Sequence, residues 1–270
     1  MIKATDIKQH IRKTRQQRLD QIPRICFCHV PKCAGSALVT AIRDQYSLAD
    51  RVLFPSFYLD LEASGQAAEA TSESITRVRE NVLSYVLATE RYKYAGGHVP
   101  CRPHMVETFR DRWSFITVLR DPVERWISGY VYDRYKTETW SRVELEIEEY
   151  LRSDAGIVSG RAYLWYFSDM PDDPSIQRFE PYVEEAVENL RRFALVGATE
   201  DMAALAERFG QVFGRPLKIV AANRSPNPTG KQDIRQNTAL MEQIREVCHP
   251  DILLYTRLQE TGLLPVARPR

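Results

Sequence analysis

The chain of 270 residues has no hydrophobic run long enough to cross a bilayer or to serve as a signal peptide. Residues 1–24 are polar and basic, so we expect a cytoplasmic protein without stable membrane insertion. The net charge is only +1, which gives the molecule as a whole no attraction to nucleic acid or to an anionic membrane. Any anion site must therefore be local, and a small anionic ligand is favoured over a polyanion.

Cysteine is also scarce, and the five cysteines are an odd number without the spacing of a zinc site. Cys26 and Cys28 would share one face of a strand, where we interpret them as reduced, small apolar side chains. This usage fits a reducing compartment. The sequence contains no internal repeat, predicts no metal site and does not specify an oligomeric state.

Strands and helices alternate along the chain. Short β-rich segments predict five strands, at 24–30, 92–95, 113–119, 193–196 and 217–220. The segment 113–119 is almost continuously apolar, which is typical of an internal strand in a parallel sheet. The alternation predicts an α/β fold, a P-loop-like three-layer domain with a central, mostly parallel sheet flanked by helices.

The ends of the chain differ from its middle in composition. Basic residues with spaced apolar positions over 3–20 predict a solvated helix, and a basic arm that binds a partner is the alternative. We therefore expect a basic helical segment at 1–23, one α/β domain at 24–264 and a tail at 265–270. Residues 54–74, rich in Ala, Ser and Glu, predict a mobile loop or short helix over the site.

The stretch Phe-Cys-His-Val-Pro-Lys-Cys-Ala-Gly-Ser at 27–36 joins the first predicted strand to a helix. Backbone amides at a helix N-terminus attract anions, and small residues let a ligand approach the backbone. The protein groups that could bind the anion are a lysine ammonium, a serine hydroxyl and the loop amides. They belong to Lys32, Cys33, Ala34, Gly35 and Ser36. The stretch is not a Walker A loop, because its lysine precedes the glycine instead of following it.

A second corner follows the strand at 113–119. Asp121 is a typical N-cap, and Pro122 suits the first position of a helix. Arg120 could bind a phosphate through two parallel N–H bonds, and Ser128, eight residues later, could add a hydroxyl donor. The alternative is a well-capped helix whose arginine is only solvated.

The third corner is Gly-Gly-His at 96–98. Histidine titrates near neutral pH, so His98 could take a proton from an acceptor hydroxyl, and the glycines would let the substrate come close. His29 competes for this role, but it precedes its turn, so we assign it a supporting role. Because parallel strands bind ligands at their carboxyl ends, Lys32, His98 and Arg120 should face one cleft.

These motifs resemble those of sulfotransferases that use 3′-phosphoadenosine 5′-phosphosulfate (PAPS), especially the soluble bacterial relatives of the carbohydrate branch typified by heparan 2-O-sulfotransferase. Residues 27–36 are similar to the family's 5′-phosphosulfate loop, and 120–130 to its 3′-phosphate motif. Cys33 stands where many members carry Thr, Ser or Gly. The likeness extends over 24–260 and includes a later predicted loop, at 223–231, with Arg224 and Ser225.

The resemblance implies an enzyme that moves a sulfuryl group from PAPS to an acceptor hydroxyl by in-line transfer, and releases 3′,5′-ADP without a metal ion. Lys32 and the amides of 33–36 would hold the 5′-phosphosulfate, with Lys32 also offsetting charge on the leaving group. His98 would be the base. The acceptor would be a small molecule, most consistently a carbohydrate or glycoconjugate.

The resemblance also implies that Arg120 and Ser128 hold the 3′-phosphate, with Arg224 and Ser225 as further contacts. Two other functions are open. A nucleotide-dependent kinase would need the Walker-type lysine that the loop lacks. A non-catalytic nucleotide-binding module would not need both a base and a leaving-group lysine.

Overall fold

The computed structural model of the protein describes residues 10–11, 13–14, 17–18, 21–138, 140–220 and 227–265. The described residues between 10 and 18 are helical, and the rest of the N-terminal helix predicted at 3–20 lies outside these ranges. Arg224 and Ser225, the further phosphate contacts expected from the sequence, lie outside them too, as does the predicted tail beyond residue 265.

Five strands form one sheet in which every neighbouring pair is parallel. They are β1 (Ile25–Cys28), β2 (Ser56–Tyr58), β3 (Tyr94–Gly97), β4 (Ser114–Leu119) and β5 (Leu195–Ala198). The order across the sheet is β2-β3-β1-β4-β5, so β1 is central and β4 is internal, as its apolar sequence predicts. The α/β prediction is confirmed.

Two parts of the sheet differ from the sequence-based prediction. The strand expected at 217–220 is wrong, because 216–220 are irregular and pair with no strand of the described chain. Burial alternates at these positions because Leu217 is buried and Ile219 is partly buried against the core on one face of the sheet. The segment 54–74 contains the three-residue strand β2 and an eleven-residue helix, where we expected a loop or short helix.

Helices cover both faces of the sheet. In the first half they are α1 (Gly35–Arg43), α2 (Leu48–Leu53), α3 (Leu61–Thr71), α4 (Ile75–Ala88), α5 (Pro103–Phe109) and α6 (Pro122–Tyr135). In the second half they are α7 (Ile147–Arg152), α8 (Asp154–Ser159), α9 (Ala162–Phe167), α10 (Glu180–Leu190), α11 (Met202–Phe213), α12 (Pro228–Gln236), α13 (Thr238–Val247) and α14 (His249–Glu260). None of the helices in the described ranges is long and apolar enough to cross a membrane.

The central strand shows why the fold has three layers. Alternate side chains of a strand point to opposite faces. Cys26 and Cys28 join the core under α4, α5, α9, α10 and α14, whereas Ile25 and Phe27 join the core under α1 and α11. Both cysteines are free thiols without solvent exposure, which confirms that they share an apolar face.

A third apolar cluster lies beside the sheet and packs α6 against α7, α12 and α13. It includes Trp126 and Ile127 of α6, Ile234 of α12 and Ile244 of α13. Burial of this apolar area holds α12 against α6, the helix that follows β4. Consequently, side chains of α12 reach the carboxyl edge of the sheet.

Candidate active site

The loop between β1 and α1 has an uncommon backbone. Lys32 and Ala34 have φ angles of 69° and 55°, in the left-handed region that residues other than glycine seldom adopt. Ala34 is the N-cap of α1 and offers no side-chain hydrogen bond to the helix. The first amides of α1 therefore keep their capacity to bind an anion.

A neighbouring side chain leaves no room for any residue larger than glycine at position 35. A Cβ on Gly35 would overlap the imidazole ring of His29. His29 is 6% exposed, and its Nδ1 lies 2.5 Å from the hydroxyl of Tyr58. Burial lowers the pKa of His29 to about 3, with smaller electrostatic contributions from His98 and Lys32. A neutral imidazole thus packs directly beneath the start of α1.

The Lys32 side chain runs from this loop toward α6. Its Nζ lies 3.5 Å from the ring centroid of Tyr132, a cation–π contact. Burial lowers the pKa of Lys32 to about 8, an effect that the carboxylate of Asp133 opposes. Since this value lies above 7, most of the population carries the positive charge at neutral pH.

Cys33 points away from the mouth of the loop. Its side chain is buried, and its Sγ lies 3.5 Å from the hydroxyl of Tyr163. Burial raises the pKa of the thiol to about 11, so it stays protonated. Cys33 can therefore contribute only its backbone amide to an anion.

Arg120 follows β4 and is part of an ion-pair network. Its Nη2 lies 3.1 Å from Oε2 of Glu124, and Glu124 accepts two more bonds, of 2.8 and 2.6 Å, from Arg235. These bonds from Arg235 lower the pKa of Glu124. The Oγ of Ser128 lies 3.1 Å from Nζ of Lys231. Two further cations, Lys231 and Arg235, thus lie close to Arg120 and Ser128. Neither was predicted as a site residue from the sequence.

Lys231 and Arg235 both belong to α12, where we expected a loop through residue 231. The helix begins earlier because Oδ1 of Asn227 caps it, accepting from the Gly230 amide at 2.9 Å, and Pro228 occupies its first turn. Asn-Pro is a helix start signal that could have revealed this helix. Four residues apart, the two cations lie on one helix face.

His98 follows β3 and lies 4.1 Å from His29, measured between ring centroids. Its Nδ1 is 2.8 Å from the carbonyl oxygen of His29. Because a carbonyl can only accept, Nδ1 carries the proton and Nε2 of the neutral ring is a proton acceptor. Burial lowers the pKa of His98, and the charges of Arg79 and Lys32 lower it further. His98 is therefore neutral at pH 7.

The two glycines before His98 leave room for other parts of the protein. A Cβ on Gly96 would lie 2.7 Å from the Phe27 carbonyl oxygen, and one on Gly97 would lie 2.6 Å from Cβ of Leu59. Gly97 also has a φ angle of 151°, which favours glycine. These contacts explain the glycines without the close substrate approach that we expected.

The structure brings all three corners to the carboxyl edge of the sheet, after β1, β3 and β4. Several cations lie there. Burial is the main cause of the lowered pKa values of Lys32 and Lys231, and the charges of the neighbouring cations lower these values further. Within the described residues, the cluster has five cations and two carboxylates: Lys32, Arg120, Lys136, Lys231 and Arg235, with Asp133 and Glu124. We refer to it as the cation cluster. The described ranges contain no group of His, Cys, Asp or Glu side chains that could hold a metal ion.

An all-parallel sheet with a helix-start loop and a net positive cluster at its carboxyl edge is typical of α/β proteins that bind small polyanions. The sequence profile of the sulfotransferase family matches residues 16–261. The match covers most of the chain, and the protein belongs to the sulfotransferase family. It is thus a transferase of sulfuryl groups. A comparison with curated proteins gives no match.

Proposed function

We propose that the protein is a PAPS-dependent O-sulfotransferase that acts on a hydroxyl of a carbohydrate or glycoconjugate. The observation that carries the proposal is the cation cluster, which lies beside the loop between β1 and α1 in a member of the sulfotransferase family. PAPS has anionic groups on both the 3′ and the 5′ side of its ribose, so it needs positive charge over an extended site. No observation favours a kinase.

The residues at the carboxyl edge divide between the two ends of such a nucleotide. The amides of 33–36 and the Lys32 ammonium would bind the 5′-phosphosulfate, because they lie at the start of α1. Arg120 and Ser128 would bind the 3′-phosphate. Arg224 and Ser225 are retained as proposed contacts of the same phosphate.

PAPS supplies the sulfuryl group: a bond forms between the acceptor oxygen and sulfur, and the bond from sulfur to the 5′-phosphate oxygen breaks. His98 would receive the acceptor proton on Nε2, since Nδ1 is bound to the His29 carbonyl. Lys32 would offset the negative charge on the departing phosphate oxygen. Removal of one such group typically lowers the rate by about 10²-fold or more.

An aromatic surface near Lys32 supports a sugar as acceptor. The ring of Trp140 is 49% exposed, and Nζ of Lys136 lies 3.9 Å from its centroid. Lys136 is close enough to Lys32 to lower its pKa, after the larger effect of burial. A sugar ring could therefore pack on Trp140 with a hydroxyl directed to the site.

Calorimetric titration with 3′,5′-ADP and with ATP tests the nucleotide. We expect tight binding of 3′,5′-ADP and weak binding of ATP, and the reverse order would overturn the proposal. Transfer from PAPS to a panel of sugars tests the reaction. Lys32→Ala should nearly abolish transfer, and His98→Ala should impair it while 3′,5′-ADP still binds. Transfer at the wild-type rate in both variants would contradict the assigned roles.

A further inference from the structure

One buried hydroxyl contacts both loops to which the phosphates are assigned. The Tyr163 hydroxyl donates to the Arg120 carbonyl oxygen at 2.6 Å and accepts from the Arg120 amide at 3.0 Å. The same oxygen lies 3.5 Å from Sγ of Cys33, in the loop after β1. Because the hydroxyl proton is directed to Arg120, only the thiol can donate in this third contact, and the same thiol lies 3.7 Å from the Pro31 carbonyl oxygen.

Tyr163 itself has little freedom to move. Its side chain has no solvent exposure, and it stands in the first turn of α9. The carboxylate of Asp251 accepts from the Tyr163 amide at 2.9 and 3.0 Å and from the Leu164 amide at 3.2 Å. The guanidinium carbon of Arg125 lies 5.7 Å from the centroid of the Tyr163 ring. The hydroxyl is therefore a fixed point on a buried helix.

The contacts of this hydroxyl avoid the groups that would bind the ligand. Its hydrogen bonds go to the backbone of Arg120 and so leave the guanidinium available to the ligand. Its contact with Cys33 goes to a side chain that cannot reach the ligand, in the loop whose amides can. Tyr163 thus links both anion-binding segments, through the backbone of Arg120 and the side chain of Cys33, without itself facing the cleft.

We propose that Tyr163 is a positioning residue that sets the spacing between the 5′-phosphosulfate loop and the 3′-phosphate residues. This proposal rests on the proposed function. A ligand with two anionic groups gains affinity from the second group only when both binding segments are held at the matching distance. A ligand with one phosphate does not depend on that distance. The consequence of losing the hydroxyl should therefore appear in the comparison of these ligands.

The experiment uses calorimetry with 3′,5′-ADP, 5′-AMP and 3′-AMP on the full chain and on Tyr163→Phe. Tyr46→Phe is the matched control, because the Tyr46 hydroxyl is also buried and lies 2.8 Å from the Lys93 carbonyl oxygen and 3.1 Å from that of Pro23. Those partners precede β3 and β1, at the opposite edge of the sheet. Both variants should lose similar thermal stability.

We expect Tyr163→Phe to reduce the affinity advantage of 3′,5′-ADP over 5′-AMP by about tenfold, the effect of one or two hydrogen bonds. The affinities of 5′-AMP and 3′-AMP should stay within about twofold of wild type, and Tyr46→Phe should keep the full advantage. Cys33→Ala removes the thiol with its contacts to the Tyr163 hydroxyl and to the Pro31 carbonyl oxygen. It should lose the advantage in part, and it replaces Tyr163→Phe as the test if that variant fails to fold.

An unchanged advantage in Tyr163→Phe or, where that variant does not fold, in Cys33→Ala would overturn the proposal. So would an equal loss in Tyr46→Phe, or an equal loss of affinity for all three nucleotides, which indicates general loosening of the fold. If the wild-type protein binds 5′-AMP as tightly as 3′,5′-ADP, the proposed function itself fails and this proposal fails with it. Failure in the variants alone leaves the proposed function intact.

Discussion

The imidazole of His29 fills the space in which a side chain on Gly35 would begin. The ring cannot move aside easily, because it is buried and bonded to the Tyr58 hydroxyl. Gly35→Ala should therefore destabilise the fold by about 1–3 kcal/mol through overpacking and weaken binding of 3′,5′-ADP. Urea unfolding and calorimetry measure the two effects.

A double-mutant cycle separates this overlap from a general effect of alanine at a helix start. In a His29→Ala background the ring is absent, so Gly35→Ala should lose most of its destabilising effect. An equal loss of stability in both backgrounds would mean that His29 is not the reason for the glycine. The stabilities of the two single variants and the double variant come from the same unfolding experiment.

The pH dependence of kcat/KM should follow His98 and Lys32. The pKa of His98 is lowered from 6.5 by burial, so the neutral, proton-accepting form is lost only as the pH falls below 6.5. The pKa of Lys32 is about 8, so its positive charge is lost as the pH rises past that value. We expect a bell-shaped profile with its plateau between these limits. A rate that continues to rise above pH 9 would exclude charged Lys32 from the reaction.

Arg79 offers a way to move only the acid limb of this profile. Its Nη1 donates to the His98 carbonyl oxygen at 3.1 Å, and its charge lowers the pKa of His98 beyond the effect of burial. Arg79→Gln should raise that pKa and shift the acid limb to higher pH. Arg77→Gln is the control, because Arg77 lies on the same helix with its side chain exposed. Equal shifts in both variants would point to surface charge instead.

Local sequence signals predicted the corner after β4 well. Asp121 caps α6 by accepting from the Glu124 amide at 3.0 Å, and Pro122 occupies the first turn. The Glu124 carboxylate, in contrast, has a partner that is distant in the sequence. It binds Arg235, which is 111 positions away in the chain. A cap is determined by neighbours in sequence, whereas an ion pair across two helices depends on how they pack.

The same distinction explains what the sequence did not reveal about the sheet and the site. β2 has only three residues, too few for a periodic pattern, and it is recognisable only by its pairing with β3. Residues 217–220 are apolar in part but have no partner strand in the described chain. The contact of Tyr163 with Arg120 joins residues 43 positions apart, so it depends on the tertiary structure and leaves no local sequence signal.

Lys231 provides the last prediction. Its Nζ lies 3.1 Å from Ser128 Oγ, the hydroxyl to which we assign the 3′-phosphate, so a phosphate bound there would also contact the ammonium. Lys231→Ala should lower the affinity for 3′,5′-ADP by about 10- to 100-fold, as expected for a charge-assisted hydrogen bond, and leave 5′-AMP binding unchanged. Lys218→Ala is the control, because that lysine is exposed and not part of the cation cluster.

The Lys231→Ala variant has a second, independent consequence. The Lys231 charge lowers the pKa of Lys32, a smaller effect than that of burial, so its removal should raise that pKa. The basic limb of the kcat/KM profile should therefore move to higher pH in Lys231→Ala and stay in place in Lys218→Ala. A lower 3′,5′-ADP affinity without this shift would mean that Lys231 binds the 3′-phosphate but does not influence the pKa of Lys32. A shift without the affinity loss would remove it from the 3′-phosphate site, because its charge would then act only through Lys32.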